Sequence, residues 1–166
     1  MKPKPATITP FLWFDNNLEE ASKFYTAIFK HSKVLEVRRY DETGPDGKTK
    51  IMTAKFRLAG QEFIGLNGGP HFKFTEAVSF VVSCKTQREV DYYWRRLTAG
   101  GGRPSQCAWL KDKFGLSWQI VPDQLLELLG DKDREKAARV MQAMFQMSKI
   151  DIKALQRAHA GTAKTK

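Results

Sequence analysis

ITPFLWFDNNLEEASKFYTAIF, residues 8–29, and AVSFVVSCKTQREVDYYWRRLTAGG, residues 77–101, follow one pattern, and that likeness decides the fold. Each opens on a short apolar run. Each continues through a polar turn, at residues 15–17 and 85–87, into a segment rich in Glu or Arg with an adjacent aromatic pair. The pairs are Phe24 with Tyr25 and Tyr93 with Trp94. Phe11 to Tyr25 spans 14 positions, and so does Phe80 to Trp94. Self-similarity at matched spacing marks a repeated structural unit.

The halves also end alike. Gly60-Gln61-Glu62-Phe63-Ile64 runs into Gly65-Leu66, and Gly115-Leu116-Ser117-Trp118-Gln119 runs into Ile120-Val121. Both have the form of a turn followed by an apolar strand. The first half has room for strands over 32–40 and 50–58, joined by the turn TGPDGK, 43–48. The second predicts a strand over 103–109, then a turn, LKDKFG, into the last strand. Helical stripes fit at Leu18, Ala21, Phe24, Tyr25 and Ile28, and at Val90, Tyr93, Trp94 and Leu97. AGGG at 99–102 predicts a helix end and turn.

The expected organisation is therefore α+β, with two tandem βαβββ modules at 1–67 and 78–122. A linker, 68–77, joins them. After Pro122 the pattern changes to a helical extension, 123–160, followed by a disordered tail, 161–166. Gly130 breaks the extension, and Asp131 or Asp133 can cap the next helix. There Ala137, Val140, Met141, Met144 and Phe145 form a stripe to pack on the sheet or on a partner subunit.

The 166 residues suffice for one domain or two small repeats. Eleven Phe, four Trp and four Tyr supply enough large apolar surface to argue against disorder. No apolar run reaches the ~20 residues of a membrane helix, and no signal peptide is evident. Two cysteines make no disulfide framework, so a cytoplasmic protein with reduced thiols is expected. The net charge of +10 is spread along the chain, with no aromatic-interleaved basic motif. A solvated basic surface is expected rather than nucleic-acid binding.

DKFGLSWQIVP, 112–122, raises the chemical question. On a strand, Leu116, Trp118 and Ile120 share one apolar face, and Ser117, Gln119 and Val121 share the other. Gln119 is a polar group in an otherwise apolar strand.

The strings ITPFLWFDNNLEEASKFY, FRLAGQEFIGLNGGPHFKFTEAVSFVVSCKTQREVDYYW and WLKDKFGLSWQIVPDQLLELL resemble the vicinal oxygen chelate superfamily. That superfamily includes glyoxalase I, bleomycin-resistance proteins and extradiol dioxygenases. The nearest resemblance is to its PhnB-like group, labelled 3-demethylubiquinone methyltransferase-like. The resemblance implies a curved, barrel-like sheet from each module, a cavity between the modules, and a homodimer. In metal-using members four strand positions converge on a divalent ion and leave places open for substrate oxygens. In this chain they fall on or beside Pro10, on Ile64 or Gly65, on or beside Ser79, and on Gln119. None supplies a carboxylate or imidazole, so no metal and no cofactor are expected. Gln119 then becomes a hydrogen-bonding group facing a cavity.

Other constellations are weaker. His31, His71 and His159 lack partners at ligand spacing, although His71, in the linker, has the best placement. Cys107, expected on a strand beside the cavity, and Cys84 have no base nearby in sequence to activate them. Glu19 and Glu20 fit the start of a helix. Trp94 and Trp118 are expected in the core, and Trp13 and Trp109 beside a ligand. Neither AGGGRP nor NGGP sits between a strand and a following helix, as a nucleotide-type glycine loop must, so methyl transfer lacks its motif. The expected function is metal-independent binding of a small molecule in the inter-module cavity. Its contacts would be Gln119, Ser79, Ser117, Asn67, Trp109 and Trp13. The alternatives are a divalent-metal lyase, isomerase or dioxygenase, the methyltransferase of the family label, or an interaction protein using the C-terminal helix.

Overall fold

The computed structural model describes residues 7–43 and 49–162. The TGPDGK turn beyond Thr43 and the tail beyond Thr162 lie outside the described residues. The chain divides into two compact units at Lys73–Phe74.

The first unit contains β1 (Phe11–Phe14), α1 (Leu18–Ile28), β2 (Lys33–Thr43), β3 (Thr49–Leu58) and β4 (Gln61–Asn67). The second contains β5 (Ser79–Cys84), α2 (Gln87–Thr98), β6 (Arg103–Pro104), β7 (Trp109–Lys111) and β8 (Ser117–Pro122). Then come α3 (Asp123–Leu129), α4 (Arg134–Phe145) and α5 (Ile152–Ala160). The strand orders, β1-β4-β3-β2 and β5-β8-β7-β6, are identical under the repeat. In each sheet the first strand runs parallel to the last, and the other pairings are antiparallel. Both sheets are four-stranded and open-edged, so neither closes into a barrel.

Alternation gives each sheet a covered face. In the first unit Leu12, Phe14, Ala54, Phe56, Phe63 and Gly65 are buried with Leu18, Ala21, Tyr25 and Ile28 of α1. Gly65 permits that approach, since a Cβ there would lie 2.2 Å from Leu18 Cδ1. The start of α1 is capped from across the sheet. Asn17 makes no side-chain cap bond, and the Leu18 N–H donates instead to Asn67 Oδ1 at 2.9 Å. Asn67 Nδ2 in turn donates to the Ile51 carbonyl at 2.8 Å. In the second unit Thr86 accepts from the Glu89 N–H, and Glu89 Oε2 accepts from the Lys85 N–H, a variant of the capping box.

The strand expected over 103–109 is instead two short pieces, β6 and β7, separated by residues 105–108. Cys107 (φ 54°) and Ala108 (φ 74°) adopt left-handed conformations. Their N–H groups turn out of the sheet and donate to the Met147 and Ser148 carbonyls at 2.8 and 2.9 Å. Cys107 therefore lies in a loop held by the C-terminal extension, not on a strand. The extension itself breaks twice. Gly130 ends α3, and a second break after α4 precedes Asp151, which caps α5 by accepting from the Ala154 N–H. Asp133 caps α4. Leu125, Val140, Ile150 and Leu155 pack with Ala108 of the 105–108 loop and Val121 of β8. The α4 stripe is wider than this core: Ala137 and Val140 are buried, but Met141 and Phe145 are 46% and 55% exposed. Trp118 is buried as expected, whereas Trp94 is only half-buried. Among the described residues no helix is long and apolar enough to cross a membrane.

The turn into β8 is organised by Asp112, which is 3% exposed. Oδ1 accepts from the N–H groups of Phe114 and Leu116 at 2.9 and 3.1 Å, and Oδ2 accepts from Trp118 Nε1 at 2.8 Å. Asp112→Ala strands three donors, two of them in buried bonds, so a loss of about 2–4 kcal/mol is expected. Urea unfolding checks it, and a change under about 1 kcal/mol would show that the turn does not depend on this carboxylate.

Candidate functional site

The residues singled out in the second unit gather on the face of its sheet away from α2. The parallel register sets Ser79 beside Ser117 and Val81 beside Gln119, and β7 adds Trp109 beside Gln119 and Lys111 beside Ser117. Gln119 and Ser79 are joined directly, with Nε2 donating to Ser79 Oγ at 2.9 Å. This leaves Gln119 Oε1 as an acceptor and the Ser79 hydroxyl as a donor. Val81, 58% exposed, and half-buried Trp109 supply apolar surface. Lys111 pairs with Glu76 at 2.6 Å, and its ammonium, followed by a backbone N–H, holds Glu76 below the usual carboxylate range.

Ser117, Asn67 and Trp13 are placed differently. Ser117 is fully buried, and its hydroxyl has no hydrogen-bond partner among the described residues. Asn67 is buried, with both ends of its amide bonded within the first unit. Trp13 donates from Nε1 to the Gly69 carbonyl at 2.8 Å and packs edge-on against Phe72 at 4.9 Å. A Cβ at Gly68 would lie 2.2 Å from its ring, so glycine is what lets the ring settle there.

The superfamily positions can be tested against these side chains. Gly65 faces α1, so Ile64 is the residue on the open face of the first sheet, next to β1 through its N–H bond to the Pro10 carbonyl at 3.0 Å. Pro10, Ile64, Ser79 and Gln119 provide one hydroxyl and one amide and no anionic or imidazole donor. Among the described residues no three or more His, Cys, Asp and Glu side chains gather where they could hold a metal. The donor set does not fit a divalent ion. His31 and His71 are exposed, and His159 is bonded to Asp131 at 2.6 Å, between α5 and the start of α4. Burial pushes the Cys84 thiol up to about 12, which leaves it unreactive.

The open face of the first sheet was not anticipated as a site. It holds a recess of about 270 Å³ lined by Phe11, Glu36, Arg38, Thr53, Lys55 and Ile64. Glu62 of β4 is drawn towards β3 by Lys55 at 2.8 Å and Arg57 at 2.7 Å. The sequence signal for this face was the alternation of charge along β2 and β3, which only strand pairing brings together.

The model of the 3-demethylubiquinone-9 3-methyltransferase family matches residues 6–121. The chain belongs to this PhnB-like family. A PhnB protein from Bacillus cereus, provisionally given the same methyltransferase label, is 36% identical, with a TM-score of 0.63 over 70% of this chain and 99% of its own. Protein PA1353 from Pseudomonas aeruginosa is 20% identical, with a TM-score of 0.58 over 71% of this chain and 98% of its own. The fosfomycin resistance protein FosX from Listeria monocytogenes is 16% identical, with a TM-score of 0.52 over 75% and 98%. The last two share the fold. No curated protein matches by sequence. The PhnB-like family match stops short of α3–α5.

Two outcomes are expected. Ser117→Ala removes an unpartnered buried hydroxyl and should be neutral or stabilising by up to about 1 kcal/mol in thermal unfolding; a loss above that would reveal a partner for the hydroxyl. The hydrogen bonds from Lys55, then Arg57, lower the Glu62 pKa from 4.5. A carboxylate whose folded pKa is depressed adds stability above its unfolded value, and loses it as pH falls through the folded value. Glu62→Gln should therefore cost stability at pH 7 and nothing near pH 2, read from urea midpoints at both. An equal cost at both pH values would assign the effect to packing instead of charge.

Proposed function

We propose that this PhnB-like protein binds a small molecule without a metal, using the open face of its second sheet. The observation that supports this reading most directly is the Gln119–Ser79 hydrogen bond. Two positions that carry metal ligands in metal-using relatives here carry neutral groups satisfied by each other. The pair offers a ligand one acceptor and one donor, and Trp109 and Val81 offer apolar area. Ser117, Asn67 and Trp13 act in this reading by supporting the surrounding structure. The protein works as a homodimer in a reducing, cytoplasmic setting, and binding itself, as sequestration or sensing, is the function.

The methyltransferase label is not adopted. Residues 15–17 join β1 to α1, and Lys85 and Thr86 join β5 to α2, with no glycine at either junction. Neither can cradle a nucleotide-like cofactor as a glycine loop before a helix does. A metal-dependent lyase, isomerase or dioxygenase would need ligands these positions do not provide, although a FosX crystal structure from Listeria monocytogenes contains Mn(II) and sulfate.

Native mass spectrometry of freshly purified protein, with neither metal nor chelator added, tests the reading. The expected spectrum is a metal-free dimer, with any retained small molecule visible as added mass. One divalent ion per chain would overturn the reading. For a retained molecule, Gln119→Ala should weaken binding by about 1–3 kcal/mol, and an unchanged affinity would remove Gln119 from the site.

A further inference from the structure

The helical extension holds a recess of its own, with a volume of about 610 Å³. Its floor is apolar: Ala143 of α4, Met147 just beyond it, and Ala154 and Ala158 of α5, all half-buried or buried. Its rim is polar and exposed: Gln146, Arg157 and Thr162. All of these residues lie in the second unit and beyond residue 121, where the family match ends, and none belongs to the strands that carry Gln119 and Ser79. α4 and α5 pack together, and alanine at 143, 154 and 158 leaves room between them that larger side chains would fill. The volume falls in the range of small-molecule sites.

The walls are fixed by bonds of their own. The Met147 carbonyl accepts from the Cys107 N–H at 2.8 Å. Arg139, one turn before Ala143, donates from Nε to the Ala158 carbonyl at 2.9 Å and from a terminal amino group to the His159 carbonyl at 2.7 Å. A recess held in this way costs a ligand little reorganisation.

The charge at the rim has one sign. Arg157 is the one ionisable side chain in the lining, and its guanidinium has no partner among the described residues. The Gln146 amide has none there either. Lys153, four positions earlier on the same side of α5, adds a second positive charge. The Arg157, Ala158 and His159 carbonyls would repel an anion at the end of α5, but the Thr162 and Gly161 N–H groups and Arg139 take them up. One free guanidinium matches one carboxylate through paired, charge-assisted bonds. No aromatic side chain lines the floor, and methionine and alanine suit a flexible chain better than a flat ring.

We infer that the recess between α4 and α5 is a binding site for a small amphiphile with a carboxylate head and an alkyl chain, of the medium-chain fatty acid class. The carboxylate meets Arg157, with the Gln146 amide as a second donor, and the chain lies along Ala143, Met147, Ala154 and Ala158.

The test titrates full-length ¹⁵N-labelled protein with octanoate at constant ionic strength, and separately with acetate and with uncharged 1-octanol. Octanoate should shift the amides of Ala143, Met147, Ala154 and Arg157. Acetate should leave them in place, and 1-octanol should bind at least about tenfold more weakly. Arg157→Gln should weaken octanoate by about tenfold and leave 1-octanol unchanged. Ala154→Leu, which fills the recess, should weaken both. The Arg157 side chain is exposed, so folding should survive its replacement, and that variant decides the matter even if Ala154→Leu disturbs the helices. Equal binding of octanoate and 1-octanol would overturn the inference, as would Arg157→Gln without effect or shifts produced equally by acetate. Shifts confined to Ser79, Trp109 and Gln119 would also overturn it, while leaving the proposal for the second sheet intact.

Discussion

In each half the first strand pairs in parallel with the last, and the rest of the structure follows from that pairing. A parallel neighbour cannot be reached by a tight turn, so the chain must leave the sheet and return. The helix in each half lies in that connection and covers one face. The other face stays open, and the register decides what stands on it. Phe11 comes beside Ile64, and Val81 beside Gln119. Functional groups can be placed on the open face only at alternate positions, because the intervening residues are committed to the helix. Gly65 and Trp118 show the commitment: one admits Leu18, and the other is anchored by Asp112.

That constraint explains what the sequence displayed. The repeat was legible because each copy needs its own apolar run, polar turn and amphipathic helix at the same spacing. Gln119 was legible because a polar residue inside an apolar strand stands out. Asn67 and Ser117 share its polarity but not its accessibility. Asn67 lies on the covered side of the first sheet and serves the backbone at the start of α1, whereas Ser117 shares the face of Gln119 yet is fully buried, with no partner for its hydroxyl among the described residues. Composition cannot separate these cases, because the difference lies in what packs over each residue.

The recess on the first sheet was invisible for a different reason. Glu36, Arg38, Lys55 and Glu62 are unremarkable as single residues on exposed-looking strands. Their meaning comes from neighbours on other strands, Lys55 beside Glu36 and Glu62 beside Lys55, which pairing between β2, β3 and β4 brings together. The ion pairs also cross the expected lines. Lys55 stands opposite Glu36 in the register but reaches Glu62 on the other neighbouring strand. Glu36 is thereby left to Arg38, on its own strand. Among the described residues this choice of partners leaves the guanidinium half used.

The second sheet takes part of its form from the helices that follow it. The family match ends at residue 121, yet the loop before β7 takes its form from residues beyond that point. Cys107 and Ala108 hold left-handed backbone conformations, which cost a non-glycine residue about 1 kcal/mol or more. They persist because the Met147 and Ser148 carbonyls receive their N–H groups. Ala108 is also packed into the apolar cluster built by α3–α5, and its carbonyl accepts from the Ile120 N–H at 2.9 Å. The next residue is Trp109, which stands beside Gln119. The extension therefore fixes where the indole enters the sheet, and with it the width of the apolar surface next to the Gln119–Ser79 pair. The shape of this face depends on α3–α5 as well as on the strands that carry the polar groups.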